Sequence, residues 1–210
     1  MNDKFSFYVK KERPEEEYES VKDYFDKDRI EQYAKSKNIM RIQKRITLRA
    51  LELLDLKRKN QIILDAGCGP GFSSFLLKDL GYTIVALDLL KEFISFYDLK
   101  EENPIVADLC FLPFKPNTFS AIISISAIQW IIRDINKTDT RKYAIALIQS
   151  FYSCIRPKSR AIIQFYPKSD KFLEYIGTII ANYSNFMGEF IIDNPDNPKK
   201  RKIFLLLKKD

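Results

Sequence analysis

Three aspartates stand at the ends of three consecutive apolar segments, and a glycine-rich turn follows the first of them. The turn spans residues 65–71 and reads DAGCGPG, while Asp88 and Asp108 close the next two segments. Glycines let a backbone turn tightly and approach a ligand, and a carboxylate that ends a second strand can accept both hydroxyls of a ribose. The pattern therefore predicts a nucleoside-binding site.

The turn departs from the dinucleotide-binding fingerprint. That fingerprint, G-x-G-x-x-G, needs a third glycine at position 72, which is Phe72. Asp65 would also repel a pyrophosphate, so a ligand with a positive amino group and a sulfonium, and without phosphates, fits better. Asp108 can accept from an adenine amino group while Leu89 and Leu109 flank the ring. The alternative interpretation, that the three acids are helix N-caps and loop residues, is less favoured because all three lie at the ligand-binding edge of consecutive strands.

The composition excludes several kinds of chemistry. The 210 residues include no histidine, which excludes Ser-His-Asp and Cys-His triads, a histidine general base and a histidine-ligated metal. The three cysteines are scattered without zinc-site spacing, which indicates a reducing cytoplasm and no metal site. The apolar runs are far shorter than the ~18 residues of a membrane span, and no secretion signal is expected. The net charge of +7 permits a polyanionic partner.

Strands and helices alternate from residue 61 onward, and these elements must position the acids. We predict strands at 61–64, 82–87, 104–107, 119–125, 161–165, 186–192 and 202–208, and helices at 28–35, 41–54, 72–80, 90–97, 139–156 and 169–183. The first five strands are apolar throughout, as in a parallel sheet covered on both faces, and the last two lack a helix between them and should form an antiparallel hairpin. We expect one α/β domain over residues 23–210 and a mobile arm over residues 1–22.

The turn, together with Asp88 and Asp108, resembles the class I S-adenosylmethionine-dependent methyltransferases. The resemblance implies a Rossmann-like, seven-stranded, mostly parallel sheet with a C-terminal antiparallel hairpin, and S-adenosylmethionine as the cofactor. The residues that we expect at the cofactor site are Asp65, Gly67, Cys68, Gly69, Gly71, Asp88, Leu89, Asp108, Leu109, Ser124, Tyr33 and Arg29. Of these, Tyr33 and Arg29 are candidates to close over the methionine end of the cofactor. The alternative is that Tyr33 is a packing residue and Arg29 a surface charge.

A closer resemblance, over nearly the whole chain, is to the small-subunit ribosomal RNA guanine-N7 methyltransferases of eukaryotes and their archaeal relatives. It rests on SISAIQW at residues 124–130, RPE at 13–15, RALELL at 49–54 and LPFKP at 112–116, with Ser120 departing from the aspartate that is common there. Ser126, Gln129 and Trp130 follow the fourth strand and would position the substrate. Trp130 is either a stacking platform for a base or a large core residue. Guanine N7 carries a free lone pair, so no general base is expected.

The resemblance also implies partners. The substrate would be ribosomal RNA, with the Arg41, Arg45 and Arg49 stripe and residues 199–202 as phosphate contacts, although such a stripe is commonly a solvated helix face. A small zinc-binding activator subunit would add a strand at residues 104–107, from Pro104 to Ala107, to form a heterodimer. Alternatives remain: a methyltransferase acting on tRNA or a small molecule, or a ribosome-assembly factor whose methylation is secondary.

Overall fold

A seven-stranded sheet forms the centre of the molecule. The computed structural model describes residues 13–58, 61–99 and 103–210. The strands are β1 (Ile62–Ala66), β2 (Thr83–Asp88), β3 (Ile105–Val106), β4 (Phe119–Ile125), β5 (Ile155–Phe165), β6 (Phe186–Asp193) and β7 (Lys202–Lys209). Their order is β3-β2-β1-β4-β5-β7-β6, with β1 to β5 parallel and β7 antiparallel to both of its neighbours. The predicted fold class, with a C-terminal antiparallel hairpin, is confirmed.

Helices cover both faces of this sheet. They are α1 (Pro14–Glu17), α2 (Val21–Tyr24), α3 (Lys27–Lys35), α4 (Lys37–Leu54), α5 (Phe72–Asp79), α6 (Lys91–Ile94), α7 (Thr138–Cys154) and α8 (Asp170–Tyr183), with 3-10 turns at Leu109–Phe111 and Ile128–Trp130. One apolar core lies between the sheet and α7 and α8, and a second lies between the sheet and α4 and α5. Both faces of the central strands are therefore buried, as their continuous apolar sequences predict.

The segment from residue 13 to residue 22 is folded. Residues 1–12 of the predicted arm lie outside the described residues, but α1 begins at Pro14, and Ser20 caps α2 by accepting from the backbone N–H of Asp23. Proline is favoured in the first helical turn because its missing N–H has no intrahelical partner there, and acidic residues favour the positive end of a helix. Two short helices thus stand where the sequence predicted a mobile segment.

Strand β5 begins at Ile155, earlier than the predicted start at residue 161. Ile155 pairs with Phe119, and the register shifts before Arg160 pairs with Ala121. The intervening residues are polar and include a proline, so the sequence carries no apolar run that would mark them as strand. At the other end of the fold, the Lys209 ammonium on β7 donates to the carbonyls of Tyr152 and Ile155 and so ties β7 to α7 and β5.

None of the helices in the described ranges is long and apolar enough to cross a membrane.

Candidate functional site

A cavity of about 440 Å³ lies at the carboxyl ends of β1, β2 and β4. Parallel strands present these ends at one edge, which is where ligands bind in open α/β sheets. Ten of the predicted site residues line it: Tyr33, Gly67, Gly69, Asp88, Leu89, Asp108, Leu109, Ser126, Gln129 and Trp130. The structure therefore brings both predicted groups, for cofactor and for substrate, to one space.

The glycine turn forms one wall of this cavity. Gly67, Gly69 and Gly71 all have positive φ angles, of 81°, 53° and 94°. A Cβ atom on Gly67 would lie 2.5 Å from the Cβ of Ala127, whereas one on Gly69 would meet nothing within 4 Å. Gly67 thus allows the turn to pack against the segment after β4, while Gly69 leaves open space beside the backbone for a ligand.

The Asp88 carboxylate joins two loops at the cavity. Its Oδ2 accepts from the backbone N–H of Gly69 at 2.8 Å, and its Oδ1 accepts from that of Leu90 at 2.9 Å. Burial raises the pKa of Asp88, and these two backbone hydrogen bonds oppose the rise. A carboxylate has about four lone-pair sites, so each oxygen can still accept from a ligand hydroxyl.

Asp108 caps a 3-10 turn and also lines the cavity. Its Oδ1 accepts from the backbone N–H of Cys110 at 2.8 Å and caps the 3-10 turn Leu109–Phe111. The same residue lines the cavity with Leu109. The cap interpretation and the site interpretation are thus both compatible with its position.

Asp65 lies behind the cavity wall. It is fully buried, and its Oδ2 accepts from the hydroxyls of Ser73 and Ser74, in the first turn of α5, at 2.5 and 2.6 Å. Burial raises the pKa of Asp65 to about 6, although the serine hydroxyls act in the opposite direction. Its Oδ1 has no hydrogen-bond partner among the described residues. In this arrangement Asp65 fixes the start of α5 against the turn.

Four further predicted residues do not line the cavity. Cys68 is buried, Gly71 precedes the first turn of α5, and Ser124 is fully buried within β4. The Arg29 guanidinium donates to the Tyr24 carbonyl and the Tyr18 hydroxyl, and it lies over both rings. Arg29 therefore orders the N-terminal helices.

An aromatic wall completes the cavity, and most of it was not predicted. Tyr24 and Phe25, at the end of α2, lie with ring centroids 5.3 and 6.0 Å from that of Trp130, and Phe93 on α6 lies 5.1 Å from Phe25. Burial raises the pKa of Tyr33, which also contacts this wall, to about 12, so its hydroxyl is neutral. A helix as short as α2 shows no periodicity, and the adjacent aromatic pair at 24–25 was the only available signal.

Hydrogen bonds in the turn after β4 fix Ser126 and Gln129, two of the residues predicted to position the substrate. Ser126 has a φ of 57°, which is uncommon for a residue other than glycine. Its backbone N–H donates to the Gln164 carbonyl and its hydroxyl donates to Gln164 Oε1, at 2.9 and 2.8 Å. Gln129 Nε2 donates to the Ser126 carbonyl at 2.9 Å, which leaves Oε1 buried without a partner among the described residues.

The described residues contain no group of three or more acidic or cysteine side chains that could hold a metal ion.

Comparison with known proteins identifies the family. A family model described as a methyltransferase domain matches residues 64–162. The 18S rRNA (guanine-N(7))-methyltransferase of Bos taurus is 34% identical over 189 residues, which cover 88% of this chain and 67% of that protein. The chain belongs to this family. The 18S rRNA (guanine-N(7))-methyltransferase bud23 of Schizosaccharomyces pombe is a further member, 32% identical over 83% of this chain and 66% of its own length. The chain thus spans about two thirds of the length of these relatives.

Solved structures support the fold. The magnesium protoporphyrin IX methyltransferase of Synechocystis PCC 6803, solved with bound S-adenosylmethionine, has a TM-score of 0.65 at 16% identity, covering 90% of this chain and 95% of its own. A phosphoethanolamine N-methyltransferase of Haemonchus contortus has a TM-score of 0.63 at 18% identity, covering 96% and 61%. At these identities the likeness concerns the fold alone, and it agrees with the family assignment.

Proposed function

We propose that this protein transfers a methyl group from S-adenosylmethionine to guanine N7 of small-subunit ribosomal RNA, as part of the maturation of that subunit. The observation that carries the proposal is a single cavity that joins a nucleoside-binding edge to an aromatic chamber. The nucleoside-binding edge consists of Gly69, Asp88 and Asp108. The aromatic chamber consists of Tyr24, Phe25 and Trp130. Family membership supports the same reaction, because the relatives are named for it.

The first part of the cavity fits S-adenosylmethionine. The unfilled space beside Gly69 admits a ligand, and Asp88 keeps lone pairs for two ribose hydroxyls. Asp108 and Leu109 offer an acceptor and an apolar surface to adenine. The cofactor, when bound, supplies a methyl group on a positively charged sulfur.

The protein's own contribution is to position the base and exclude water. The N7 lone pair of guanine is free at neutral pH, so no side chain has to remove a proton, and a chain without histidine suffices. Trp130 and Tyr24 present aromatic faces on which a base can stack. Holding the nucleophile about 3 Å from the methyl, in line with the leaving sulfur, is the main source of rate enhancement in this scheme.

The target base must leave its stack to enter the cavity. Unstacking costs a few kcal/mol, which contacts to RNA phosphates can offset. Arg45, which is exposed on α4, and Lys202 at the base of the hairpin are candidates because the two cations lie close together. Burial, and then the charge of Arg45, lowers the pKa of Lys202. Residues 199–201 of the hairpin loop extend this basic surface.

The free edge of β3 supports the proposal of an activator subunit. β3 is the outermost strand beside β2, and Val106 and the nearby Phe111 are 53% and 66% exposed. Unpaired backbone beside apolar side chains is suited to receive a strand from another protein. We propose that a small partner subunit, zinc-binding in the family that the sequence resembles, pairs there, and that the complex acts in the cytoplasm.

Mapping N7-methylguanosine in ribosomal RNA, with and without the gene, tests the reaction. We expect one site to be lost on deletion, restored by the wild-type gene and not by an Asp88→Ala variant. If no site is lost, the proposal is wrong. If the variant restores subunit maturation without the methyl group, the assembly role outweighs the methylation.

A further inference from the structure

Glu15 is a buried carboxylate in the wall of the substrate cavity. It lies in the first turn of α1, its residue is only 6% exposed, and it lines the cavity together with Gln129 and Trp130. Nothing in the proposed transfer chemistry requires a carboxylate at this position.

The neighbouring cation, Arg13, forms an ion pair with this carboxylate but does not hydrogen-bond it. The Nη1 of Arg13 lies 3.9 Å from Glu15 Oε1, beyond hydrogen-bond distance. The Arg13 guanidinium instead donates to the carbonyls of Tyr166 and Pro167. In the part of the chain that the structure describes, no N–H or O–H group donates to the Glu15 carboxylate, so none of these residues competes with donors on a ligand.

Gln129 adds a second acceptor to the same cavity wall. Its Nε2 donates to the carbonyl of Ser126, which fixes the orientation of the amide and leaves Oε1 as the unpaired atom. A buried acceptor without a partner is unfavourable, and a donor on a bound base that reaches Oε1 would remove that penalty.

Among the purines, guanine presents the edge that suits two acceptors. Its Watson–Crick edge carries the N1–H and the exocyclic N2 amino group as adjacent donors, whereas adenine places an acceptor at N1. N7 lies on the opposite side of the ring system, so a base held by its Watson–Crick edge leaves N7 exposed to the methyl group. We propose that Glu15, assisted by Gln129, binds the Watson–Crick edge of the target guanine and determines base specificity. This inference rests on the proposed function.

The position of Glu15 is consistent with the route of the RNA. Glu15 also lines an adjoining groove, together with the basic Arg133, Lys137 and Lys168 and the acidic Glu16 and Asp134. Lys168 pairs with Glu16 at 2.9 Å, so Arg133 and Lys137 are the cations considered for phosphate contact. Glu15 therefore lies where the cavity meets a groove that carries basic side chains. A nucleotide that enters from this groove brings its phosphates to the cations and its base to the carboxylate.

The single tryptophan of the chain provides the test, because Trp130 lines the cavity. The full chain, saturated with S-adenosylhomocysteine, is titrated with GMP, IMP or AMP while Trp130 fluorescence is followed. IMP keeps N1–H but lacks the N2 amino group. We expect wild type to bind GMP about 10-fold more tightly than IMP, and AMP more weakly still, since one good base contact gives about 1–3 kcal/mol of discrimination.

The Glu15→Gln variant should bind GMP about 10-fold more weakly and should no longer prefer GMP to IMP. Glu17→Gln, an exposed position on the same helix, is the matched control and should keep the wild-type preference. Equal affinity of wild type for GMP and IMP overturns the inference, as does a folded Glu15→Gln variant that retains the preference. If Glu15→Gln does not fold, the wild-type comparison and a Gln129→Met variant, expected to weaken GMP binding, decide the question.

The two levels of the proposal can fail separately. A guanine preference that depends on Glu15, in a protein whose deletion removes no N7-methylguanosine, supports the base recognition and contradicts the proposed reaction. The converse result is that deletion removes a methylation site while Glu15→Gln keeps the preference for guanine. That result supports the proposed reaction and contradicts base recognition by Glu15.

Discussion

At the scale of single residues, the Asp88 carboxylate joins two loops and is also our proposed ligand for the ribose hydroxyls. It accepts from the backbone N–H groups of Gly69 and Leu90 and faces the cavity. Asp88→Ala should therefore weaken binding of S-adenosylhomocysteine about 100-fold, because a pair of charge-assisted hydrogen bonds is lost and the loops loosen. Isothermal titration calorimetry measures this, with Asp139→Ala, an exposed position on α7, as the control. An unchanged dissociation constant would remove Asp88 from the cofactor site.

Asp65 should make stability depend on pH. Its folded-state pKa of about 6 lies above its usual 3.8, so the folded chain holds this proton more tightly than the unfolded chain. The stabilisation from Asp65 is present below about pH 4 and is lost as the pH rises to about 6, a difference of about 3 kcal/mol. Asp65→Asn should flatten that part of the profile of unfolding free energy against pH.

Urea unfolding of the unliganded protein between pH 4 and pH 7 tests the effect of Asp65. In Asp65→Asn, the unfolding free energy should still depend somewhat on pH, because burial also raises the pKa of Asp88. Asp139→Asn serves as the exposed control and should keep the wild-type slope. Equal slopes in wild type and Asp65→Asn would contradict the prediction.

The sequence predicts the site residues at the carboxyl ends of the strands better than the side-chain contacts between the helices around them. Asp88, Asp108 and the glycines could be placed because the carboxyl ends of parallel strands meet at one edge. The serine partners of Asp65 and the stacking of Arg29 on Tyr18 and Tyr24 could not be placed, since they depend on how separate helices pack.

At the scale of elements, α4 is anchored to the C-terminal hairpin. Arg49 Nε and Nη2 donate to the two carboxylate oxygens of Asp193, at 2.9 and 3.1 Å, and Nη1 donates to Glu52. The predicted stripe of three phosphate-binding arginines is thus altered, because Arg49 is already engaged in a bidentate ion pair. Arg45, by contrast, is exposed beside Lys202.

Arg49→Ala and Arg45→Ala should therefore have different effects. Arg49→Ala should lower the free energy of unfolding by about 1 kcal/mol, since a partly exposed bidentate pair is lost. Arg45→Ala should leave stability unchanged and reduce by about 1 the slope of log K against log salt for RNA binding. Urea unfolding and filter binding separate the two, and a reversal of these effects would contradict the assignment.

Long periodic or apolar segments account for the elements that the sequence predicts well. Strand β4 agrees with its predicted bounds, and α4 begins only a few residues before its predicted start. The early part of β5 was missed because residues 156–159 are polar, and only Ile155, before the register shift, pairs there with β4. The helices α1 and α2 are too short to produce a periodic signal and are stabilised by packing at the cavity.

At the scale of the whole molecule, the two edge strands of the sheet, as far as the described residues form it, differ in character. β3 presents Val106 at one edge, and β6 presents Met187, 50% exposed, at the other. We expect the isolated chain to associate with itself as its concentration rises, through the β3 edge. Val106→Lys should reduce that association, measured by sedimentation velocity, while Met187→Lys, the matched change at the β6 edge, should not.

Co-purification of the proposed partner subunit would provide a second readout for the β3 edge. Val106→Lys should also release this subunit, whereas Met187→Lys should retain it. A chain that stays monomeric at high concentration and remains fully active alone would count against the proposed heterodimer.

The position of β7 determines when the site can form during synthesis. β7 lies between β5 and β6, although it follows both in the chain, and Gln164, which holds the Ser126 turn, pairs with Phe204 on β7. A nascent chain that has emerged only through β6 has no neighbour to place on that side of β5, so the Ser126 turn lacks its support. We therefore expect RNA recognition to begin only after β7 has left the ribosomal exit tunnel, which would keep unfinished chains away from the precursor RNA.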